Sequence, residues 1–435
     1  MKRQAIPSRA PVAAKVTQQA LNAMGERFRT AFAQGDFAQA LKFATQAWHA
    51  THSPQPLADV ALCQMRLGQP QQAYDTYRRA ILQLKTANTY DGLAEAAGQL
   101  GKRDEVREYG TASLRMKMQE AAREPAAATR DAAGPPPFDA DARERNLIAF
   151  SLFGRDPRYC EMAVLNVRAA RELFAGWTCR FYVDDTVPPA VRERLLQAGA
   201  RVVDAHAAGG TGLPGTMWRF LALDDPGVDR VQFRDADSLL STRDQAAVHA
   251  WCASDRWFHA MRDYPTHSEL LLAGLWGACR GLLADVEIGM RAYLASRPYS
   301  AHFADQHFLR HRMWQVAQRS LLTHDAWFDM PGSLPFPAHA PMAVDARYAH
   351  VGANIGAPSM HVAHAAPDGT AVTWTLYDAQ GQAVCAYDAV IAGNGFTVGI
   401  PAPYAAELSA GRWKVLTRPL SKAEGHAPAP DPAPG

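Results

Sequence analysis

The chain has 435 residues, 48% of them hydrophobic and 20% charged. That composition excludes a disordered or membrane-embedded protein, and the length exceeds what one ordinary core accommodates, so two or three domains are expected. Its 45 Lys and Arg against 43 Asp and Glu leave a formal charge of +2, which gives no electrostatic ground for a nucleic-acid or anionic-lipid partner.

The first stretch, MKRQAIPSRAPVAAKVTQQA, is basic but lacks the uninterrupted apolar run of a secretory signal. No segment approaches the ~18 uncharged apolar residues of a membrane span. The six cysteines (Cys63, Cys160, Cys179, Cys252, Cys279 and Cys385) are scattered, with no Cys-x-x-Cys pair, so neither a zinc site nor a disulfide framework is expected. Cytoplasmic residence is the expectation.

Three segments then align: AQGDFAQAL with Gly35, RLGQPQQAY with Gly68 and QLGKRDEVR with Gly101. The glycines are 33 residues apart, and a small or apolar residue (Ala40, Ala73, Val106) follows each by five. Glycine at the turn lets one helix end in a left-handed conformation, and a small side chain lets the next approach closely. Stacked helical hairpins follow over about 15–120, and the pattern resembles the tetratricopeptide repeat. A plain helical bundle is the other reading of the same pattern. Either arm would hold a peptide, a protein partner or the neighbouring domain. Residues 121–145, Ala- and Pro-rich and without periodicity, read as a linker.

From Asn146 the pattern becomes α/β. The apolar run NLIAFSLFG reads as a buried parallel strand, CEMAVLNVRAARELFA as a helix and TCRFYVDD as a strand. PAVRERLLQAG as a helix and ARVVDA as a third strand complete a doubly wound arrangement. A helix over GTMWRFLALDD then leads to the strand VDRVQFRDADS, which puts Asp235 and Asp237 at a carboxyl strand end, on the edge where open α/β sheets bind ligands. Two carboxylates one residue apart are oxygen ligands for a hard divalent cation, or, more plainly, turn-capping side chains.

Here the chain resembles nucleotide-sugar-dependent glycosyltransferases of the GT-A fold, whose Asp-x-Asp motif binds a divalent metal (Mn2+ or Mg2+). WFHAMRDYPTHSELLLAGLWGACRG, HFADQHFLRH and LLTHDAWF resemble further elements of bacterial members, so the likeness covers about 146–360. The resemblance implies a nucleotide-sugar donor, with a glycan, lipid or protein as acceptor. It makes Asp237 the direct metal ligand, with Asp235 acting through water or on the ribose. The third ligand it implies is a histidine, His324 or His350, each of which also reads as structural. Arg219 reaches a phosphate or ribose, or is a solvated surface residue. Asp305 is a general base, a donor-orienting group, or a helix cap. Trp276, flanked by Gly274 and Gly277, offers a flat face to a sugar or packs in the core. Arg262 and Asp263 form a buried ion pair or touch the acceptor.

Beyond the resemblance, about 361–420 alternates and turns at DAQGQ and AGNGF, the marks of a small antiparallel appendage. Residues 421–435, with alternating Pro, read as a disordered tail.

Three rivals compete with this function. An EF-hand loop is excluded, because Leu239 and Leu240 stand where an oxygen ligand and Gly are needed. A haloacid-dehalogenase-type phosphatase also uses Asp-x-Asp after a strand, but its pattern continues to a Thr where Leu239 stands, and it opens its domain with the motif. The last is a non-catalytic adaptor, with working helical repeats on a degenerate glycosyltransferase scaffold.

Overall fold

The computed structural model describes residues 17–342, 344–356 and 358–420, apart from the side chain of residue 347. The expected tail and the basic N-terminal stretch up to residue 16 lie outside the described residues. The chain divides after Ser113 into two units.

The first unit is helical: α1 (Gln18–Ala33), α2 (Phe37–Thr51), α3 (Pro54–Arg66), α4 (Pro70–Ala80), α5 (Ala87–Gln99) and the start of α6 (Arg103–Ala121). The 33-residue period is a period of turns. Gly35, Gly68 and Gly101 hold φ of 74°, 69° and 72°, and each turn closes with the same pair of backbone bonds. Gly35 N–H donates to Phe32 and Asp36 N–H to Ala31; Gly68 to Met65 and Gln69 to Gln64; Gly101 to Gly98 and Lys102 to Ala97. This is the closure that a left-handed residue after a helix permits. Ala40, Ala73 and Val106, five residues on, are fully buried, as close helix packing requires.

An alanine at Gly68 would meet nothing within 4 Å, so its only cost is the left-handed backbone. Gly68→Ala is expected to destabilise the helical unit by about 1 kcal/mol, read as a lowered urea midpoint followed by far-ultraviolet circular dichroism.

The second unit holds one eight-stranded mixed sheet. Its strands are β1 (Asn146–Leu152), β2 (Thr178–Val183), β3 (Arg201–Asp204), β4 (Arg230–Phe233), β5 (Phe258–Arg262), β6 (Trp276–Cys279), β7 (Leu321–Asp325) and β8 (Ser333–Leu334), in the order β3-β2-β1-β4-β6-β5-β7-β8. All neighbouring pairs run parallel except those made by β6. β1 and β2 are buried almost throughout, as strands covered on both faces must be. The helices are α7 (Pro157–Leu173), α8 (Pro189–Gln197), α9 (Thr242–Cys252), α10 (Val286–Ser296), α11 (Ala304–Phe308) and α12 (Trp314–Ala317). The helix expected over GTMWRFLALDD is a 3-10 segment, Gly215–Asp224.

The stretch expected as a linker is instead a strap on this unit. Ala127 N–H donates to Arg312, Arg130 N–H to Leu282 and Ala284 N–H to Ala128. Phe138 stacks on Trp177 at 5.6 Å, and Arg230 donates to the Pro136 carbonyl. Pro and Ala lack side-chain polarity, so such a segment satisfies its backbone only by lying against other main chain.

The appendage comprises β9 (Ser359–Ala363), β10 (Ala371–Tyr377), β11 (Ala383–Val390), β12 (Gly395–Gly399), α13 (Ala402–Ser409) and β13 (Lys414–Pro419). Its antiparallel sheets are β11-β10-β13 and β12-β9. Gly381 and Gly393 turn the chain with positive φ at DAQGQ and AGNGF, although β12 leaves β11 to pair with β9. The appendage meets the α/β layer at Glu161 of α7, fully buried, which accepts from both Arg194 (2.7 and 2.8 Å) and Tyr387 (2.6 Å).

Candidate functional site

The direction of the sheet order reverses between β1 and β4: β2 and β3 follow β1 on one side, and β4 lies on the other. The crevice outside the carboxyl ends at such a switch point is where open α/β sheets bind ligands. β4 delivers the acidic pair there, since Arg234 N–H makes one further bond to Ala149 of β1 (3.1 Å) before the chain turns out through Asp235. Arg234 itself points inward to Asp244 of α9. Asn166 of α7, buried, then grips the segment after the motif: its amide donates to the Ser238 carbonyl (2.7 Å) and accepts from Leu240 N–H (3.0 Å).

Arg219 joins the acidic residues. Its backbone N–H donates to Ser151 Oγ on β1 (3.1 Å). Its guanidinium donates through Nη1 to Asp235 Oδ1 (2.6 Å) and the Arg234 carbonyl (2.8 Å), and through Nη2 to Asp305 Oδ2 (2.9 Å). Only 3% of Arg219 is exposed, so it is not the solvated surface residue that helical spacing allowed, and its Nε is buried without a hydrogen-bond partner. Asp305, also buried, accepts from Arg219 and from Gln306 N–H (2.8 Å). Burial pushes its carboxyl up and Arg219 pulls it back. Asp305 is the second residue of α11, so the helix-cap reading is corrected.

Gln306 is a residue that sequence reasoning missed. Its side chain accepts from Ala273 N–H (3.0 Å) and donates to the Leu271 carbonyl (2.5 Å), fixing the approach to Gly274. Gly274 is required there: a Cβ would lie 2.0 Å from Asp235 Oδ2.

Asp237 is half-buried and, among the described residues, makes no salt bridge. Burial and then the neighbouring Asp235 charge push its carboxyl up to about 6, with partial relief from Arg158. Its backbone carbonyl accepts from Ile355 N–H (3.1 Å) and Gly356 N–H (3.2 Å), so residues 350–356 run over the motif.

Several expected members go elsewhere. His324 is buried in β7, 2.9 Å from His259 Nε2, and burial lowers it to about 4. His350 is half-buried, stacked on Tyr264 at 4.1 Å. Among the described residues no three His, Cys, Asp or Glu side chains gather to hold a metal, so neither histidine completes a three-residue centre with the acidic pair. Trp276 is fully buried and stacked on Phe233 at 4.6 Å, a core residue and not a sugar platform. Arg262 and Asp263 do not pair with each other. Arg262 lies 3.4 Å from Asp325 and donates to the Glu269 and Leu270 carbonyls, while Asp263 pairs with Arg243 at 2.7 Å. Both are buried, and each is matched to an oppositely charged partner. A cavity of about 160 Å³, lined by Arg143, Phe174, Trp177 and Cys179 among others, lies at the amino edge of the sheet, opposite the acidic pair.

No protein-family model matches the chain, and no curated protein is significantly similar to it. Solved structures similar to it include PcrH of Pseudomonas aeruginosa in complex with the chaperone binding region of PopB, 18% identical over 25% of this chain and 90% of that one, with a TM-score of 0.24. The Yersinia enterocolitica type III secretion translocator chaperone SycD is 16% identical over 23% of this chain and 76% of its own, at 0.22. The Sgt2 TPR domain from Aspergillus fumigatus is 18% identical over 29% and 97%, at 0.23. These neighbours are TPR-like helical repeat proteins and match the N-terminal repeats. Among the described residues, no helix is long and apolar enough to cross a membrane.

Gly274→Ala is expected to drive the Asp235 carboxylate off Arg219, and a crystal structure of the variant would show the 2.6 Å hydrogen bond broken. A second expectation concerns pH. A carboxyl that titrates near 6 when folded and near 3.8 when unfolded favours folding in its protonated form. That contribution is full below about 4 and lost as pH rises through about 6. Without added divalent cation, Asp237→Asn should therefore raise the unfolding temperature at pH 7.5 and leave it unchanged near pH 3.5, as read by calorimetry.

Proposed function

We propose that the protein is a metal-dependent glycosyltransferase of the GT-A type, moving a sugar from a nucleotide-sugar donor to a glycan, lipid or protein acceptor. The helical repeats would recruit the acceptor or a protein partner. One observation supports this most: Asp237 stands beside Asp235 at the switch-point crevice, half-buried, with no salt-bridge partner among the described residues. A folded chain keeps an uncompensated carboxylate at a cost, and such sites are often functional.

The donor set suits Mn2+ or Mg2+. Both are hard ions that take carboxylate oxygens, and Mg2+ in particular is commonly held by one or two carboxylates plus waters and substrate phosphates. Asp237 and Asp235 Oδ2 would hold the ion, while Asp235 Oδ1 stays on Arg219. Bound there, the cation would neutralise negative charge on a diphosphate leaving group. The chain's own residues supply position. Arg219 fixes Asp235, Asp305 fixes Arg219, and Gln306 fixes the loop that brings Gly274 under Asp235. With its carboxylate occupied by Arg219 and Gln306 N–H, Asp305 suits the donor-orienting role better than that of a base.

A second reading has its own support. Arg219 already covers one oxygen of Asp235, and no third protein ligand is gathered among the described residues. Both features suit a degenerate scaffold carried by a helical adaptor.

Thermal shift separates the two. Nucleotide sugars screened with and without Mn2+ should raise the unfolding temperature only in combination, by an amount equivalent to about 2.7 kcal/mol at one hundred times the dissociation constant. Asp237→Ala should abolish both that shift and metal-dependent sugar transfer. An adaptor would show no shift with any donor.

A further inference from the structure

The C-terminal appendage, which lies outside the glycosyltransferase resemblance, reaches the acidic motif through two successive backbone hydrogen bonds. Ala402 N–H, at the start of α13, donates to the Ile355 carbonyl (2.8 Å), and Ile355 N–H donates to the Asp237 carbonyl (3.1 Å), joined there by Gly356 N–H (3.2 Å). Ile400 N–H binds the same stretch at the Pro358 carbonyl (3.0 Å). Side chains repeat the connection. Ala353 and Ile355 form one buried cluster with Met162 of α7, against which Leu239, two residues after the motif, and Ala402 both pack. Both segments also press on the start of α7: a Cβ on Gly356 would lie 2.8 Å from the Arg158 carbonyl, and one on Gly399 3.5 Å from Arg158 Cβ. The far end of the loop is tied separately, by Val351 N–H to Asp263 Oδ2 (2.9 Å).

We infer that the appendage is a working part of the acidic site: through Ala402 and Ile355 it fixes the main chain of Asp237, and with it the affinity of Asp235 and Asp237 for a divalent cation. The inference rests on the cation-binding reading above. Two carboxylates separated by a single residue on one short loop are only as well placed as that loop, and partners outside a ligand shell commonly change metal affinity tenfold or more. Asp263 and Ala402 act as positioning residues at the two ends of the loop that carries Val351 and Ile355.

Ala402→Pro tests the relay in the full chain. Proline is tolerated at the first position of a helix, and Pro401 already holds φ −53° and ψ 143°, which suits a residue before proline. The substitution removes the N–H and sets a ring carbon against the Ile355 oxygen. Mn2+ alone is titrated and the free ion followed by electron paramagnetic resonance. The unaltered protein should bind Mn2+, Ala402→Pro about tenfold more weakly, and Ala402→Gly, which keeps the N–H, as the unaltered protein does. Should Ala402→Pro not fold, amide hydrogen exchange in the unaltered protein decides, because Mn2+ should slow Ile355, Gly356 and Ala402 together. Mn2+ binding unchanged in a folded Ala402→Pro, or an Ala402 amide indifferent to Mn2+, overturns this inference alone. A wild-type protein that binds no Mn2+ overturns the cation reading and this inference with it.

Discussion

Arg219 is a buried guanidinium held between two carboxylates, and the arrangement of the second unit's carboxyl edge follows from keeping it there. Removing one partner of such a group leaves an uncompensated interior charge, at a cost of about 3–5 kcal/mol. The segments that carry the three residues are therefore locked to one another: the 3-10 stretch Gly215–Asp224, the end of β4 and the start of α11. Gln306, one residue beyond Asp305, extends the lock to the loop before Gly274, and the missing side chain at Gly274 leaves room for the Asp235 carboxylate.

One guanidinium balances one of the two carboxylates it bridges, and Asp237 adds a third acidic group close by. The surrounding burial and the like charge of Asp235 are why Asp237 holds its proton to a higher pH than an ordinary aspartate. The excess lies after β4 at the carboxyl edge of the sheet, whereas the remaining acidic and basic residues of the motifs are matched to one another. Arg234 meets Asp244, Arg262 meets Asp325, and Arg243 meets Asp263. That contrast distinguishes the site chemically from the rest of the layer.

Much of the chain's punctuation was legible in its residues. Glycines 33 residues apart mark a repeated turn, and the apolar runs that became β1 and β2 read as buried strands, so the helical hairpins and the first strands of the sheet followed from local rules. β5 to β8 were not anticipated, because they are runs of two to five residues, and β5 and β7 carry polar residues whose partners are remote in sequence. His259 and His324 lie 65 positions apart yet within 2.9 Å, and Arg262 needs Asp325. The same blindness left Trp276 undecided between core and platform and turned an ordered strap into a linker, since a flat ring or an Ala/Pro stretch declares its chemistry but not its neighbours.

The sequence by itself determined periodicity and identity: where helices stop, which strands are buried, and that two carboxylates close the fourth strand. Those are consequences of backbone preference and side-chain polarity, which act over a few residues. Only tertiary structure decided which charges are spent on one another. Arg219 and Asp305 are 86 residues apart, and Asp237 and Ala402 are joined through Ile355. An ion pair or hydrogen bond exists only where folding has brought its two halves within about 3–4 Å, and no local pattern encodes that meeting.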